Sequence, residues 1–524
     1  MIHPAQPSRR ELFLTAAAIL IWLAASAWAR PLMLPDEGRY VGVAWEMLRS
    51  GDWLTPTLNG LPFFHKPPLF YWVTASSLSL FGANEVAARA APILGAWLGA
   101  MSLYAFVCRW RSVRTARMAA LVLLVQPLFL IGGQFANLDM LVAGCITATI
   151  LLAAHAILLK ENNLPYRWAL ACAYAMAGMG ILAKGLIGGA LPAMTILVWL
   201  LATKRWRMLR PLIWFPGLLL FMMVTAPWFA AMQWKFADFL SYFFVVQHFQ
   251  RFAGSGFNNV QAWWFYPAVL LFFHLLWLPW IYRMFTPKYL AASRPDPVRV
   301  LMWIWLLVIV VFFSIPKSKL LGYILPAVPP LAFLLGDSFT LALTASPRLR
   351  PWWFLSAGLA AVLSLGAVTW LSTHPTKSTR ELATVLRSQH TPSEPVFMLN
   401  HYDYDLPFYA RLREPVVVVD NWQSAATSID DNWRKEFSDA GRFAPSKAHA
   451  SLMESTQLPV ALCQSSVSWV IGSPAQSAQY PFIGVAQEIF SDKDATLWKV
   501  DRTDPKIFNA LHCEGKPNAG SADK

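Results

Sequence analysis

Long uncharged apolar stretches alternate with short polar loops over the first 372 residues. A helix that crosses the hydrocarbon core of a membrane requires about 20 apolar residues, and several stretches are slightly shorter. The pattern therefore predicts about eleven transmembrane helices and is compatible with up to thirteen. An odd number of spans places the two chain ends on opposite sides of the membrane. The apolar windows lie near residues 12–29, 90–108, 118–133, 140–159, 168–183, 186–203, 211–231, 263–282, 300–315, 320–335 and 352–371.

The pattern changes after residue 372. Short β-type runs are separated by helix-like stretches at 378–389 and 431–439, a mixture typical of a small α/β domain. The predicted division is therefore a membrane domain over residues 1–372 and a C-terminal α/β domain over 373–524. The predicted strands are Val396 to Asn400, Pro415 to Asp420, Trp469 to Gly472 and Ala495 to Val500.

Composition and charge support this division. The chain is 56% hydrophobic and only 14% charged, whereas soluble domains carry about 25% charged residues. Residues 1–372 hold 28 Lys and Arg against 11 Asp and Glu, net +17, and residues 373–524 hold 15 against 18, net −3, which together give the +14 of the whole chain. The basicity belongs to the membrane part, so nucleic acid is not an expected partner.

The basic residues also orient the predicted spans. Cytoplasmic loops of membrane proteins carry an excess of Lys and Arg, and 18 of the 28 cations fall on one side when the spans alternate. That side is predicted to be cytoplasmic and includes the N-terminus. The C-terminal domain is then predicted to lie outside, where Cys463 and Cys513 can form a disulfide.

The first span has the features of an export signal. Arg9 and Arg10 precede an apolar run that ends in Ala27-Trp28-Ala29, which resembles a cleavable twin-arginine signal. That route exports folded soluble proteins, and ten further spans argue against it. The first helix is therefore predicted to be retained, with cleavage as the alternative.

Carboxylates are scarce enough in residues 1–372 to be considered one by one. Glu11, Glu161, Asp296 and Asp337 fall on the cytoplasmic side, where solvated loop positions are expected. The other seven fall on the outer side, and five of them lie in the first outer loop, residues 31–89. The outer carboxylates are Asp36, Glu37, Glu46, Asp52, Glu85, Asp139 and Asp238.

The first outer loop contains a predicted surface helix. Asp36 and Glu37 begin it, and apolar residues follow at helical spacing, as expected for a helix that lies on the membrane surface. The two carboxylates either cap this helix or serve a function, since charge at the mouth of a span is costly. The apolar positions are Val41, Ala44, Met47 and Leu48.

Outward-facing cations depart from the inside-positive pattern. Lysine snorkelling explains one such position, but several cations on one rim are what a lipid phosphate requires. His65 beside Lys66 adds a metal ligand. The cations are Lys66, Lys184, Arg251, Lys317 and Lys319. The sequence has no Walker motif and no Gly-x-Gly-x-x-Gly, so no nucleotide cofactor is expected.

Several short motifs, taken in order, resemble the bacterial polytopic glycosyltransferases related to the lipid A aminoarabinose transferase and, more distantly, the protein O-mannosyltransferases. The resemblance covers the membrane region and is strongest from Pro35 to Arg89. It implies a GT-C-like fold. The motifs are Asp36-Glu37-Gly38-Arg39-Tyr40, Gly51-Asp52-Trp53, Lys66-Pro67-Pro68, Phe81-Gly82, Arg89, Ala183-Lys184-Gly185, His248 to Phe252 and Ser318-Lys319 to Pro326.

This resemblance implies an enzyme that takes a sugar from an undecaprenyl phosphate carrier at the periplasmic face and transfers it with inversion. Asp36 would be the catalytic carboxylate, Lys66 and Arg251 would bind the carrier phosphate, and His248 would be half of a divalent metal site. Where the family leads us to expect Glu before Lys-Pro-Pro, this chain has His65. His65 and His248 are therefore candidate ligands of zinc, or of magnesium or manganese.

The remaining candidates complete two sets of residues, all expected on the outer side. Glu37 and Asp139 join Asp36 as candidate catalytic carboxylates. The candidate phosphate ligands, besides Lys66 and Arg251, are Lys184, Lys317, Lys319, Tyr323, Arg39 and Tyr40. Both sets are predicted to converge on one extracytoplasmic cavity.

The acceptor is left open by the sequence. The first hypothesis is that 4-amino-4-deoxy-L-arabinose, or a similar amino sugar, is transferred to lipid A. In its variant, the acceptor is a protein or another envelope glycan. A flippase or transporter of lipid-linked sugars is the alternative from another class. If the acceptor is a hydroxyl, Asp36 acts as general base; if it is an ionised lipid A phosphate, Asp36 orients or stabilises the reactants.

Overall fold

A computed structural model describes residues 7–250, 259–374, 377–426 and 432–514. The chain folds into two compact units, Met1–Arg30 with His65–His374, and Pro31–Phe64 with Pro375–Lys524. The sequence analysis assigned the whole first outer loop to the membrane domain. In the structure, residues 31–64 of that loop instead fold with the C-terminal region.

The first unit is helical, and each of the eleven predicted apolar windows coincides with a helical segment. Six helices of the described residues are long and apolar enough to cross a membrane, or eight if each of two bent pairs is one span. The chain is thus a mostly helical protein with six to eight candidate spans, and the count of eleven stays a prediction. The main helices are Arg9–Ala24, Leu69–Phe81, Ala90–Trp110, Val113–Val125, Pro127–Gly133, Leu138–Glu161, Arg167–Lys184, Ile187–Ala202, Phe215–Lys235, Ser241–Gln250, Phe265–Phe273, Leu278–Met284, Pro287–Ser293, Pro297–Ser314, Leu321–Ala327, Val328–Ala345 and Arg350–Thr373.

One predicted span is broken by a proline. The window at 118–133 is built from Val113–Val125 and Pro127–Gly133, which meet at an angle of 69°. Pro127 has no N–H to continue the hydrogen-bond ladder, and its ring displaces the preceding turn. The Gln126 side chain caps the new helix by accepting a hydrogen bond of 2.6 Å from the Phe129 amide. Apolar composition alone predicts one straight helix here.

Small residues set the closest helix packing in this unit. The helices Ala90–Trp110 and Leu138–Glu161 approach each other at Gly95 and Gly144, where a Cβ on either glycine would overlap the backbone of the other helix. Packing through small residues is typical of membrane helices, because apolar side chains gain little by leaving lipid for protein. This contact fixes the start of Leu138–Glu161, which carries Asp139.

A buried ion network replaces one expected solvated carboxylate. Asp337 is only 2% exposed and accepts hydrogen bonds from Arg299 Nε at 2.6 Å, Arg111 at 2.8 Å and Tyr289 Oη at 3.0 Å. Asp296 pairs with the same Arg111. The expectation of a solvated loop position was therefore wrong for Asp337, because it lies inside the helix Val328–Ala345 and pairs with Arg299 and with the sequence-distant Arg111. Asp296 is half-buried and caps the helix Pro297–Ser314.

The second unit contains a six-stranded sheet. Its strand order is Leu452–Glu454, Val417–Asp420, Val396–Leu399, Val467–Gly472, Thr496–Asp501, Gln487–Ser491. The first four strands are parallel and the last two are antiparallel to their neighbours. Four strands coincide with the predicted runs, and helices Arg380–Gln389 and Trp433–Gly441 coincide with the predicted helical stretches. Two strands were not predicted, because one is short and the other is largely exposed: Leu452–Glu454 and Gln487–Ser491.

A disulfide joins the two cysteines of this unit. Cys463 and Cys513, whose Cα atoms are 5.6 Å apart, are bonded. Cys463 lies in the helix Leu458–Gln464, and Cys513 follows the helix Pro505–Leu511, so the bond ties together two helices that cover one face of the sheet.

A two-stranded hairpin in residues 57–62 attaches the first loop to the C-terminal region. Asn59 and Gly60 form its turn with φ of 53° and 74°, as a two-residue hairpin requires. The Glu46 carboxylate accepts hydrogen bonds from this turn, including the Gly60 amide at 2.9 Å. The Asn59 amide group exchanges two hydrogen bonds of 2.9 Å with the Val416 backbone. These bonds join the hairpin to the residue that directly precedes the strand Val417–Asp420.

The predicted helix of the first loop is present as Asp36–Ser50. Its apolar face is covered by protein, since Val41, Ala44 and Met47 are completely buried, whereas Leu48 is half-buried. Gly38 allows the Tyr404–Asp405 backbone to approach, with an added Cβ only 2.8 Å from the Asp405 amide nitrogen. The apolar face of this helix is therefore used for packing within the second unit, and its location on the membrane surface stays a prediction.

Three titratable groups of the second unit each make the folded chain less stable as pH rises. Burial raises the pKa of Asp405 to about 7 and raises the pKa of Glu46. Burial opposes the charge on His401, but its bond to Asp403 raises the His401 pKa. In each case the folded chain holds a proton that the unfolded chain releases at lower pH, so stability falls as pH rises.

We expect the melting temperature of the full chain in detergent to fall by several degrees between about pH 5 and about pH 8. Asp405→Asn should flatten this profile, because its side chain no longer titrates. Asp492→Asn, at an exposed turn, is the control and should keep the wild-type slope. An Asp405→Asn profile as steep as wild type would contradict the assignment of this slope to Asp405.

Candidate active site

Asp139 and Lys184 form the centre of a polar cluster in the first unit. Asp139 stands in the first turn of Leu138–Glu161, where the Asn137 side chain caps the helix through the Asp139 amide at 3.0 Å. Lys184 ends the helix Arg167–Lys184, and its ammonium group contacts the Asp139 carboxylate. Both side chains are about nine-tenths buried, at 9% and 11% exposure. One predicted carboxylate and one predicted cation therefore form an ion pair here; the convergence of the two whole sets stays a prediction.

Tyr323 and Gly322 complete this cluster. The Lys184 ammonium lies 4.3 Å from the centre of the Tyr323 ring, a cation–π contact. Gly322 lies so close to Asp139 that an added Cβ would be 2.6 Å from the carboxylate carbon. The short helix Leu321–Ala327 thus needs glycine at this position. Asp139, Lys184 and Tyr323, predicted separately, are brought together.

Lys317 and Lys319 lie on the loop that leads into Leu321–Ala327. This loop pairs with residues 259–261, through Gln261 N to Lys317 O at 3.0 Å and Lys319 N to Asn259 O at 3.0 Å. The Lys319 ammonium is buried and donates to the carbonyl oxygens of Gln261, at 3.0 Å, and Pro316. Two of its three N–H donors are therefore used by the loop itself. Lys317 is exposed.

His65 and Lys66 are the first two residues of His65–His374, the longer of the two chain segments that form the first unit. Both are half-buried. His65 Nε2 is 3.2 Å from the hydroxyl of Tyr242, which also accepts a hydrogen bond of 3.0 Å from Gln247. Within the described ranges, no three His, Cys, Asp or Glu residues form a group that suits a metal ion. The His248 side chain and Arg251 lie outside the described residues, so the predicted histidine pair stays a prediction.

Asp36 and Glu37, the first two residues of the helix Asp36–Ser50, differ in their surroundings. Glu37 is completely buried and accepts a hydrogen bond of 2.9 Å from the Met33 amide, so it ties the helix to the residues that precede it. The Asp36 side chain is 40% exposed and lies 4.0 Å from Arg39. Of this pair, Asp36 is the carboxylate that remains accessible. Tyr40 is half-buried.

Arg39 is held inside the second unit. Its Nη2 donates to the Tyr404 hydroxyl at 3.4 Å, its guanidinium lies 4.8 Å from the centre of the Tyr404 ring, and its Nε is 3.6 Å from Glu436. Burial opposes the charge, but Glu436 and Tyr404 outweigh it and raise the Arg39 pKa. This geometry favours a structural role over the predicted phosphate contact.

We therefore expect Arg39→Gln to lower the stability of the second unit by about 1 to 3 kcal/mol and to leave the KM for the lipid-linked donor unchanged. The loss of stability arises because Glu436 and Tyr404 lose their buried partner. Thermal unfolding and donor titration of the purified variant measure the two quantities. A raised donor KM at unchanged stability would restore Arg39 to the predicted set of phosphate ligands.

Two buried arginines were missed as site-forming residues. Arg89 is completely buried and donates to the carbonyl oxygens of Ala27, at 2.5 Å, and Arg30, at 2.9 Å. Arg30 is 2% exposed and donates to the Gln134 carbonyl at 2.5 Å. They fix the end of the first span to the following helices. The signal in the sequence was a pair of arginines at the edges of apolar windows on the outer side, where cations are rare.

Known proteins resemble this chain in sequence. The family described as dolichyl-phosphate-mannose-protein mannosyltransferase matches residues 65–230. The undecaprenyl phosphate-alpha-4-amino-4-deoxy-L-arabinose arabinosyl transferase 1 of Sodalis glossinidius is 35% identical over 318 residues, 59% of this chain and 55% of that protein. The transferase of the same description from Pseudomonas aeruginosa is 34% identical over 355 residues, 65% of this chain and 62% of that protein. The chain thus matches about 55 to 62% of the length of these relatives.

A solved structure extends the similarity over almost the whole chain. The crystal structure of ArnT from Cupriavidus metallidurans bound to undecaprenyl phosphate is 25% identical, covers 94% of this chain and 98% of its own, and superposes with a TM-score of 0.79. The resemblance predicted from the short motifs is confirmed. The six to eight candidate spans of the described residues indicate a multi-pass membrane protein.

Proposed function

We propose that this chain is an inverting glycosyltransferase that moves 4-amino-4-deoxy-L-arabinose, or a closely similar amino sugar, from undecaprenyl phosphate to lipid A. The observation that carries the proposal is the similarity to proteins of this description at 34 to 35% identity. It is supported by the resemblance of the fold to a protein that binds undecaprenyl phosphate. A membrane enzyme of this kind needs no nucleotide, because its donor is already linked to lipid.

The proposed site faces the periplasm. We place the N-terminus in the cytoplasm and the second unit outside, since 18 of the 28 cations in residues 1–372 fall on the side of the N-terminus. Donor and acceptor are then both lipids of the periplasmic side of a bacterial inner membrane.

The reaction exchanges one bond to the anomeric carbon for another. The acceptor oxygen forms a bond to C1 from the face opposite the phosphate, and the bond between C1 and the phosphate oxygen breaks. Its electron pair leaves with the phosphate, which becomes undecaprenyl phosphate with one more negative charge. Groups that stabilise this growing charge accelerate the reaction, typically by a factor of about 10² to 10³ for one well-placed donor.

Among the described cations of the first unit, Lys184 is the one best positioned to stabilise the negative charge on the departing phosphate. Its ammonium is held between the Asp139 carboxylate and the Tyr323 ring, so little side-chain freedom is lost when a phosphate binds. In this proposal, Asp139 is a positioning residue that acts through Lys184. Lys66, Arg251 and the exposed Lys317 would contribute further positive charge, and Lys319 would use its third N–H.

Asp36 is the proposed catalytic carboxylate. If the acceptor is a hydroxyl of lipid A, Asp36 takes its proton as the new bond forms. If the acceptor is a lipid A phosphate, which carries no proton at neutral pH, Asp36 instead orients the amino sugar through charge. Each role requires an accessible carboxylate, and Asp36 is 40% exposed while Glu37 is buried.

A divalent metal at His65 and His248 stays a proposal outside this mechanism. His65 meets the Tyr242 hydroxyl, and among the residues that the structure describes no three His, Cys, Asp or Glu form a group that could hold a metal ion. No step is assigned to a metal. If a zinc, magnesium or manganese ion binds there, it would add positive charge for the departing phosphate.

The proposal is tested with the purified chain in detergent, undecaprenyl phosphate-linked aminoarabinose labelled in the sugar, and lipid A. We expect the label to move to lipid A and free undecaprenyl phosphate to form in equal amount. Detergent contains no compartments, so a flippase would leave the donor intact. Donor consumption that requires a protein or another glycan instead of lipid A would keep the chemistry and replace the acceptor.

A further inference from the structure

Four arginines of the second unit surround two neighbouring clefts. A cleft of about 360 Å³ is lined by Arg387, Arg411 and Arg413, and one of about 510 Å³ is lined by Arg49 and Arg413. The segment 412–415 forms a wall of both. We call Arg49, Arg387, Arg411 and Arg413 the arginine patch; all four are exposed.

Arg49 lies 5.2 Å from the centre of the Trp45 ring, but ion pairing within the fold does not account for the arginine patch. In the part of the chain that the structure describes, none of its four guanidinium groups forms an ion pair. This is unusual for its surroundings, since residues 31–64 and 375–524 contain 17 Lys and Arg against 22 Asp and Glu. Carboxylates are abundant in this unit, yet these arginines are left without them.

The carboxylates that line the clefts are mostly used by other groups. Glu394 accepts from the Trp469 indole at 2.7 Å, Asp52 from the Leu54 and Thr55 amides at 3.0 Å, and Glu46 from the hairpin turn. Glu414 lines both clefts and is exposed. Three of the four carboxylates that line the clefts thus have hydrogen-bond partners other than the patch arginines.

Two of the patch arginines, Arg49 and Arg413, lie close enough for their charges to interact. Burial and the neighbouring charge of Arg413 lower the pKa of Arg49. Like charges held together without anions destabilise the folded chain, and a bound anion relieves this repulsion. Arginine presents a planar fork of N–H donors that matches the oxygens of a phosphate.

We propose that the arginine patch binds the phosphate groups of the glycolipid acceptor, here lipid A, and so holds the acceptor at the second unit. The inference rests on the proposed function for the identity of the acceptor. Two clefts that share Arg413 suit a ligand with two separated phosphates better than a single small anion.

The test measures binding of lipid A to the full chain in detergent without donor, so that no reaction is needed. The triple variant Arg387→Gln/Arg411→Gln/Arg413→Gln is compared with Arg442→Gln/Lys493→Gln/Lys506→Gln, which removes three exposed charges elsewhere in the same unit. We expect the patch variant to bind bisphosphorylated lipid A about tenfold or more weakly and the control to match wild type. Dephosphorylated lipid A should bind both variants and wild type equally weakly.

Three outcomes would overturn this proposal. They are equal affinity of patch variant and wild type, equal loss in both triple variants, and binding of phosphatidylglycerol as tight as that of lipid A. Retained binding of undecaprenyl phosphate shows that the patch variant is folded. The proposed function fails separately, in the labelled-donor assay, since a chain without transferase activity can still bind lipid A at the patch.

Discussion

Replacement of Asp36 by Asn is expected to abolish sugar transfer, with kcat lower by about 10² to 10⁴ and the protein still folded. Asn has the shape of Asp but neither accepts a proton nor carries charge. Asp36 is 40% exposed, and its described ion pair with Arg39 is 4.0 Å long. A partly exposed pair of this length contributes at most about 1 kcal/mol, so the fold should tolerate the change.

The control for this variant is Asp52→Asn in the same loop. The Asp52 carboxylate accepts hydrogen bonds through Oδ1 from the Leu54 and Thr55 amides, which the Asn side-chain oxygen can also accept. Near-wild-type transfer is expected for Asp52→Asn. The rate of label transfer from the donor and the melting temperature are measured for both. If Asp36→Asn transfers sugar at a rate close to wild type, Asp36 has no part in the mechanism.

Replacement of Lys184 by Ala is expected to destabilise the first unit by about 3 to 5 kcal/mol and to abolish transfer. The substitution leaves the Asp139 carboxylate, at 9% exposure, without its ammonium partner. It also removes the cation proposed to stabilise the departing phosphate. Lys160→Ala is the matched control, since Lys160 also lies near a helix end and over a tyrosine ring, 5.3 Å from the centre of Tyr166.

The two effects of Lys184→Ala can be separated with the double variant Lys184→Met/Asp139→Asn. Removing both charges should restore most of the stability, because no unpaired charge remains, but transfer should stay absent. Thermal unfolding in detergent and the labelled-donor assay provide the two measurements. A double variant that is stable and transfers sugar would show that the ion pair is only structural.

Much of the helical unit was predictable because lipid imposes a simple rule. Every backbone polar group inside a membrane must be paired within the segment, so apolar windows become helices. The rule does not predict breaks such as that at Pro127. It also does not reveal charges that pair inside the protein, as Asp337 does with Arg111 and Arg299.

The candidate site was predicted in part for a related reason. Asp139, Lys184 and Tyr323 could be assigned to the outer side from the alternation of spans, and the ends of neighbouring helices then bring them together. The engagement of Lys319 by the carbonyl oxygens of Pro316 and Gln261 could not be predicted, because carbonyl directions depend on the loop conformation. Likewise, nothing in the residue pattern indicates that Asn59 bonds to Val416, 357 residues later.

The hairpin at Asn59 has a consequence for how the protein is made. Residues 31–64 belong to a unit whose other part begins at Pro375, so they leave the ribosome long before their partners. At about 5 to 20 residues per second, synthesis of the intervening chain takes about 15 to 60 seconds. During that interval the residues of the C-terminal region that cover the apolar face of Asp36–Ser50 have not yet been made, and we expect a chaperone or the membrane surface to shield this face until they arrive.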